Sequence, residues 1–297
     1  MPHYELNGRV ALITGGARGI GFGLAQALVR RGSSVALVDL SQEAAQRAAA
    51  ELGPRAIGLA ADVTDLAAIE RAVQETVAKL GGLDVVVANA GVAPSPPSPV
   101  RVMPQSEFER VVEVDLLGVY RTVAAAMDQV VARQGHVAVV SSIYAFANGM
   151  INAPYAVAKA GVEQLGRALR VELSIHGVGV TVAYFGFVDT EMVRQAFEQG
   201  QARTGRDPGE DLPGFMLRRI TPGQAGEALA RGIERRQPRV IAPRWWTIGS
   251  VLRGVLAPSM DYLATRDPRV RRALSASEAG PPPTPQGSGE EVAKEAG

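Results

Sequence analysis

Short runs of apolar, β-branched residues alternate with longer stretches of helical period along most of the chain, and this alternation restricts the fold more than any other feature of the sequence. Runs at 9–14, 34–39, 56–60, 84–88, 136–141, 178–184 and 239–241 read as strands. Periodic stretches at 20–31, 42–52, 66–80, 106–133, 153–176 and 224–235 read as helices. Strands apolar at nearly every position are those of a parallel sheet covered on both faces, and parallel neighbours need helical crossovers. The pattern predicts an α/β chain, a doubly wound parallel sheet of about seven strands with helices on both faces. Ligands of such sheets bind beyond the carboxyl ends of the strands.

Charge and composition exclude several classes. Among 297 residues, 31 Lys+Arg balance 30 Asp+Glu for a net charge of +1, so nothing argues for a nucleic-acid partner. Cysteine is absent, which excludes disulfides, thiolate catalysis and thiolate-held metals. The histidines, His3, His136 and His176, are too scattered to predict a metal site. The amino terminus has no charged-then-apolar leader pattern, and no apolar run reaches the length of about 18 residues that spans a bilayer. A cytoplasmic protein is the expectation. No internal repeat is present. Residues 1–243 read as one domain, 244–274 as an amphipathic helical extension, and 275–297, rich in Pro, Gly, Ser and Glu, as a disordered tail. Segments 94–104 and 190–222 read as loops over the ligand cleft.

Between the first strand and first helix stands Thr14-Gly15-Gly16-Ala17-Arg18-Gly19-Ile20-Gly21. Glycines there admit positive φ and a close approach of backbone to a pyrophosphate, while free N–H groups at the helix start supply donors and a positive dipole end. A tight βα turn without ligand is the bland alternative, but the position between strand and helix favours a Rossmann-like nucleotide loop. Asp39 closes the second strand, where a carboxylate accepts hydrogen bonds from ribose hydroxyls and repels a 2′-phosphate. NAD is therefore expected over NADP, against the contrary pull of Arg18.

Of the basic residues only Lys79, Lys159 and Lys294 are lysines, so the pair Tyr155-Ala-Val-Ala-Lys159 stands out. In a helix its two side chains lie one turn apart on one face. Ser142 follows the strand at 136–141. Here the sequence resembles the classical short-chain dehydrogenase/reductase family, from about Gly8 to Ile241. The ordered series that carries the resemblance is the 14–21 loop, Asp62-Val63, Asn89-Ala90-Gly91, Ser142, Tyr155 with Lys159, and Gly186-x-x-x-Thr190. The resemblance implies that Asp62 and Val63 meet the adenine, that Asn89 helps hold the central sheet beside the cofactor, that Thr190 touches the nicotinamide carboxamide, and that Ala90, Gly91 and Val188 also belong to the cofactor site. It also implies that Lys159 holds the nicotinamide ribose and that the chain forms a homodimer or homotetramer through the helices at 106–133 and 153–176.

The residues give their own chemistry. Reduction of a ketone, or oxidation of its alcohol, moves a proton at oxygen as hydride moves at carbon. Tyr155 is the candidate acid/base, and Ser142 the donor to the substrate oxygen. A free phenol titrates near ~10, and an ammonium about 4 Å away at an effective dielectric of about 20 supplies roughly 4 kcal/mol, enough to bring Tyr155 to about neutrality. Two departures from the family pattern stand out: Asp115 where asparagine is usual, and Phe185 before Gly186 where proline is usual. By resemblance the residue at 115 bends its helix and offers its carbonyl to a proton relay. A buried carboxylate there could instead pair with Lys159 and weaken its hold on Tyr155.

Ile143, Tyr144, Phe146, Met150, Phe185 and Phe187 suggest an apolar cleft and a hydrophobic alcohol or ketone, although each residue alone reads more readily as core. Trp245, Ile248, Val251, Leu252, Val255, Leu256 and Met260 recur at helical spacing. A helix packed over the cleft or against another subunit is favoured over one lying on a membrane surface. A nucleotide-sensing protein without turnover and a methyltransferase are rival readings. The second has no use for Tyr155 and Lys159, and an extended epimerase relative would need a longer substrate domain.

Overall fold

The structure of the protein, a computed structural model, describes residues 3–204 and 218–279. Seven strands among these residues form a single parallel sheet: β1 (Val10–Thr14), β2 (Ser34–Asp39), β3 (Ala56–Ala60), β4 (Val85–Ala88), β5 (His136–Ser142), β6 (Gly179–Phe185) and β7 (Arg239–Ala242), in the order β3-β2-β1-β4-β5-β6-β7. The expected strands are all present, within a residue or two at their ends. The order reverses between β1 and β4, which opens the crevice at their carboxyl ends where such sheets bind ligands.

One face is covered by α1 (Gly19–Arg30), α2 (Gln42–Leu52) and α8 (Pro222–Glu234), through Leu24, Leu28, Ala48, Leu229 and Ile233. Thr221 starts α8 with a reciprocal capping box to Gln224, which satisfies two otherwise orphan amides. The other face is covered by α3 (Leu66–Leu80), α5 (Gly118–Ala132) and α6 (Ala153–Glu172), through Ile69, Val73, Val123, Val130, Val162 and Leu169.

Three expectations change. The stretch at 106–133 is not one helix: α4 (Gln105–Val112) and α5 are joined by a π-helical turn, Glu113–Leu117, which inserts an extra residue into the helical period around Asp115. The segment read as a loop from 190 carries a helix, α7 (Glu191–Thr204), whose Met192, Val193, Ala196 and Phe197 form a short half-buried stripe, while polar ties secure its first turns. The Thr190 hydroxyl accepts from the Val193 amide, and Glu191 accepts from Arg194 and Gln195. The rest of that segment, 205–217, lies outside the described residues. Beyond β7 run α9 (Trp246–Ala264) and α10 (Pro268–Ala279), so helix continues through 275–279, where a disordered tail was expected. Ser277 is buried and Glu278 pairs with Arg101 at 2.6 Å, which ties that stretch to the body. The remainder of the tail, 280–297, lies outside the described residues.

Candidate active site

The glycine loop is fixed by the end of β4. Asn89 Nδ2 donates to the carbonyls of Thr14 (2.9 Å) and Gly15 (3.1 Å), while the Asn89 and Ala90 amides donate to the Thr14 hydroxyl. Gly15 has φ +62°, and a Cβ there would lie 2.9 Å from Ala90 Cα. A Cβ on Gly21 would collide with the Gly15 carbonyl. The loop thus folds over the switch point with its backbone as its surface, and Ile20 packs against the core beneath it. These features fit a pyrophosphate at the start of α1.

At the far end of the loop, Asp39 accepts from the Ala17 amide (3.1 Å) and the Leu40 amide (2.9 Å) through different carboxylate oxygens. It lines a surface recess with Ala17, Arg18, Leu40, Ser41 and Arg47. Arg18 is exposed at the mouth of α1, close enough to Glu191 to help hold that carboxyl below its ordinary range, after the larger effects of Arg194 and Gln195. Asp62 is exposed and accepts from the Thr64 amide, whereas Val63 is buried beneath Gly118. Val188 is buried and bridges to Ile220, and the Thr190 methyl stands 3.4 Å from the position of a Cβ on Gly19.

The second cluster lies beyond β5. Ser142, the last residue of β5, is buried, and its hydroxyl meets the Tyr144 amide (3.3 Å) and the Phe185 carbonyl (3.5 Å). Tyr155 and Lys159 stand one turn apart on α6, with Lys159 Nζ 5.3 Å from the Tyr155 ring centre. Lys159 Nζ also donates to the Val140 carbonyl at 3.3 Å. Ser141 binds the Lys159 carbonyl at 2.7 Å and so pins α6 to β5, a contact that sequence spacing gives no sign of. Tyr144 meets Tyr155 edge-on at 5.8 Å.

Asp115 completes this cluster. It is fully buried, accepts from the Val92 amide at 2.7 Å through one oxygen, and lies 3.1 Å from Lys159 Nζ through the other. Gly91 makes room for the pair: a Cβ there would stand 3.0 Å from Asp115 Oδ2 and 3.3 Å from Lys159 Nζ. Gly91 joins the two halves of the site, because Ala90 before it rests on the glycine loop.

This arrangement corrects the expected phenol pKa. Burial pushes the Tyr155 phenol above its ordinary value. Lys159 and a hydrogen bond with Ser142 pull it down, but Asp115 pushes it up again, and the net direction is upward rather than toward neutrality. Burial likewise raises Asp115, against the pull of Lys159 and the Val92 amide. Burial alone would lower Lys159, but the charges of Asp115 and Tyr155 hold its ammonium above the ordinary lysine value. A lysine shared with a carboxylate at 3.1 Å acts on a phenol less than a lone ammonium does.

Of the expected apolar lining, Phe185 and Ile143 belong to the buried interior. Tyr144 stands beside Tyr155, Met150 is exposed, and Phe187 packs edge-on against Phe197 of α7 at 5.6 Å. Phe146 lies between Tyr184 and Trp246, and Trp246 of α9 covers Gly186. Phe197 and Trp246 come from segments whose sequence predicts a loop and an extension.

Residues 9–201 match the family model described as short chain dehydrogenase. The chain is 36% identical over 188 residues to cis-4-hydroxycyclohexanecarboxylate dehydrogenase of Sinomonas cyclohexanicum, covering 62% of this chain and 75% of the relative. It is 35% identical over 189 residues to sorbitol dehydrogenase of Cereibacter sphaeroides, covering 63% and 73%. Among solved structures, the 3-ketoacyl-(acyl-carrier-protein) reductase of Brucella melitensis complexed with NADH superposes with a TM-score of 0.71 at 26% identity, covering 80% of this chain and 97% of that one. With a parallel sheet wound in that family's order and a serine, tyrosine and lysine gathered at its switch point, the chain belongs to the classical short-chain dehydrogenase/reductase family, oxidoreductases of CH–OH groups that use a nicotinamide cofactor.

Proposed function

We propose that this protein is an NAD-dependent oxidoreductase that interconverts a secondary alcohol and a ketone on a hydrophobic substrate, with Tyr155 as acid/base. The observation that carries this reading is the meeting of half-buried Tyr155 with buried Ser142 and Lys159 beside the glycine loop. The nicotinamide, when bound, supplies or accepts hydride at carbon. Ser142 donates to the substrate oxygen, and Tyr155 gives that oxygen a proton in reduction and removes it in oxidation. Lys159 holds the ribose and polarises the phenol, while Asp115 positions Lys159.

Asp39 supports NAD over NADP, since its two oxygens keep lone pairs for ribose hydroxyls and its charge opposes a 2′-phosphate. Phe187, Phe197, Tyr144 and Trp246 around the cleft support an apolar substrate. Exposed Tyr120 on α5, with Val157 and Val171 on α6, supports pairing of these helices in a homodimer or homotetramer.

The test is a fluorescence titration with NADH and NADPH, followed by nicotinamide absorbance with a panel of steroid, acyl and aliphatic alcohols. The expected result is tighter binding of NADH and turnover that Tyr155→Phe removes without removing NADH binding. Tight NADH binding with no turnover on any alcohol or ketone would favour a nucleotide sensor, and absence of dinucleotide binding would sink the reading.

A further inference from the structure

The carboxyl-terminal extension is amphipathic in the inverted sense. Every specific polar tie of α9 to the body lies on its inner side: Arg253 makes two 2.8 Å contacts with the Glu163 carboxylate of α6, and Asp261 accepts from Asn148 at 2.8 Å. Trp246 and Ser250 are buried on that same side. Away from it, Ile248, Val251, Leu252 and Val255, at i, i+3, i+4 and i+7, are between 48% and 72% exposed, and beyond Pro258 so are Met260 and Leu263. Together they make one continuous outward stripe. Apart from Trp246 at its start, which packs against Phe146, the helix is docked through polar residues, and its outward apolar stripe leaves uncovered the surface that burial would favour most.

Charge selects what covers it. Arg244 precedes the stripe, and Arg266, Arg271 and Arg272 follow it within three turns of its end, with Arg269 between them paired to Asp267. The acids of this stretch are already engaged, Asp261 by Asn148 and Asp267 by Arg269. A second copy laid antiparallel on the stripe would set Arg244 near its partner's arginines, and a parallel copy would set the two arginine groups together. Either places like charges side by side. An anionic lipid surface meets the stripe with acyl chains and the arginines with headgroup phosphates. No described helix is long and apolar enough to cross a membrane, which leaves a helix lying in the interface plane.

We propose that α9 and the arginines that follow it dock the protein on the surface of an anionic bilayer. Because Trp246 and Phe146 link the start of α9 to the candidate site, docking sets the cleft beside the lipid from which an apolar substrate partitions.

The full-length protein is to be floated with vesicles of phosphatidylcholine alone and of phosphatidylcholine mixed with phosphatidylglycerol. The expected result is recovery with the mixed vesicles, falling as salt rises. Leu252→Asp with Val255→Asp should abolish that recovery, and Arg271→Glu with Arg272→Glu should weaken it roughly tenfold or more. Unchanged circular dichroism and NADH binding show that these exposed substitutions leave the fold intact. Recovery no greater than without vesicles overturns the proposal. So does equal recovery on both compositions, because the arginines then select nothing. A homo-oligomer that Leu252→Asp with Val255→Asp dissociates, without any lipid binding, assigns the stripe to a second copy and overturns it as well.

Discussion

Asp115 sits where one added negative charge changes the working state of the site most directly. Its carboxylate shares Lys159 and, after burial, helps to hold Tyr155 above the ordinary phenol value. Alcohol oxidation needs the phenolate, so its rate climbs with pH until Tyr155 has lost its proton. Asp115→Asn removes the anion while keeping an acceptor for the Val92 amide, and should move that limb to lower pH by on the order of one unit. A pH–kcat profile that the substitution leaves in place would show that Asp115 only packs. His136, far from the cleft at the amino end of β5, governs a different pH response. It is wholly buried, bonded to Thr181 at 2.8 Å, and burial, with Arg236 nearby, lowers its pKa from 6.5 to about 3. Between those values the unfolded chain takes up a proton that the folded chain refuses, so stability falls as pH drops from about 6.5 toward 3, by about 1.4 kcal/mol per unit. Asp84, its pKa lowered by the Val10 amide, Arg133 and Arg9 against burial, adds a loss of the same sign at lower pH. Urea midpoints at pH 7, 5 and 4 measure the slope, and a flat response would refute it.

The helices hold these residues with contacts that carry their own tests. Gly21→Ala puts a Cβ against the Gly15 carbonyl, a strain of about 1–3 kcal/mol that should lower the thermal midpoint and weaken NADH binding together. Arg253→Ala leaves Glu163 nearly buried without its cation, so α9 should loosen. Tryptophan emission, dominated on release by the now exposed Trp246, should shift to the red while the sheet melts as before. What the sequence revealed follows the reach of each interaction. The strands were legible because consecutive apolar residues define them locally, and Tyr155 with Lys159 because a helix fixes that spacing. α7 was not, since its apolar stripe, Met192, Val193, Ala196 and Phe197, spans barely two turns and opens a long stretch otherwise dominated by polar residues and glycine. The π-helical turn at Asp115 was hidden because it adds one residue to a periodic stretch that reads as continuous. The Asp115–Lys159 pair and the Ser141 contact with α6 join residues far apart in the chain. Residue types suggested the first as an alternative and nothing suggested the second.

Across the whole molecule the sheet order brings the loop after β1 against the loop after β4, and everything chemical stands at that reversal. The last described helices are attached differently. α9 rests on Trp246, Arg253 and Asp261, and α10 on the Arg101–Glu278 pair, across 177 positions of sequence. Apart from the buried Trp246, these ties are polar and partly exposed, while each face of the sheet is secured by a large apolar cluster. The two therefore open on separate scales of free energy. In native-state hydrogen exchange, amides of α9 and α10 should trade for deuterium at denaturant concentrations that leave β1, β4 and β5 protected, and simultaneous exchange of all of them would refute that separation. A wall that opens without unfolding the sheet gives the cleft a gate whose rate is independent of the chemistry behind it: where opening is slower than hydride transfer, turnover falls with solvent viscosity and is insensitive to isotopic substitution of the hydride.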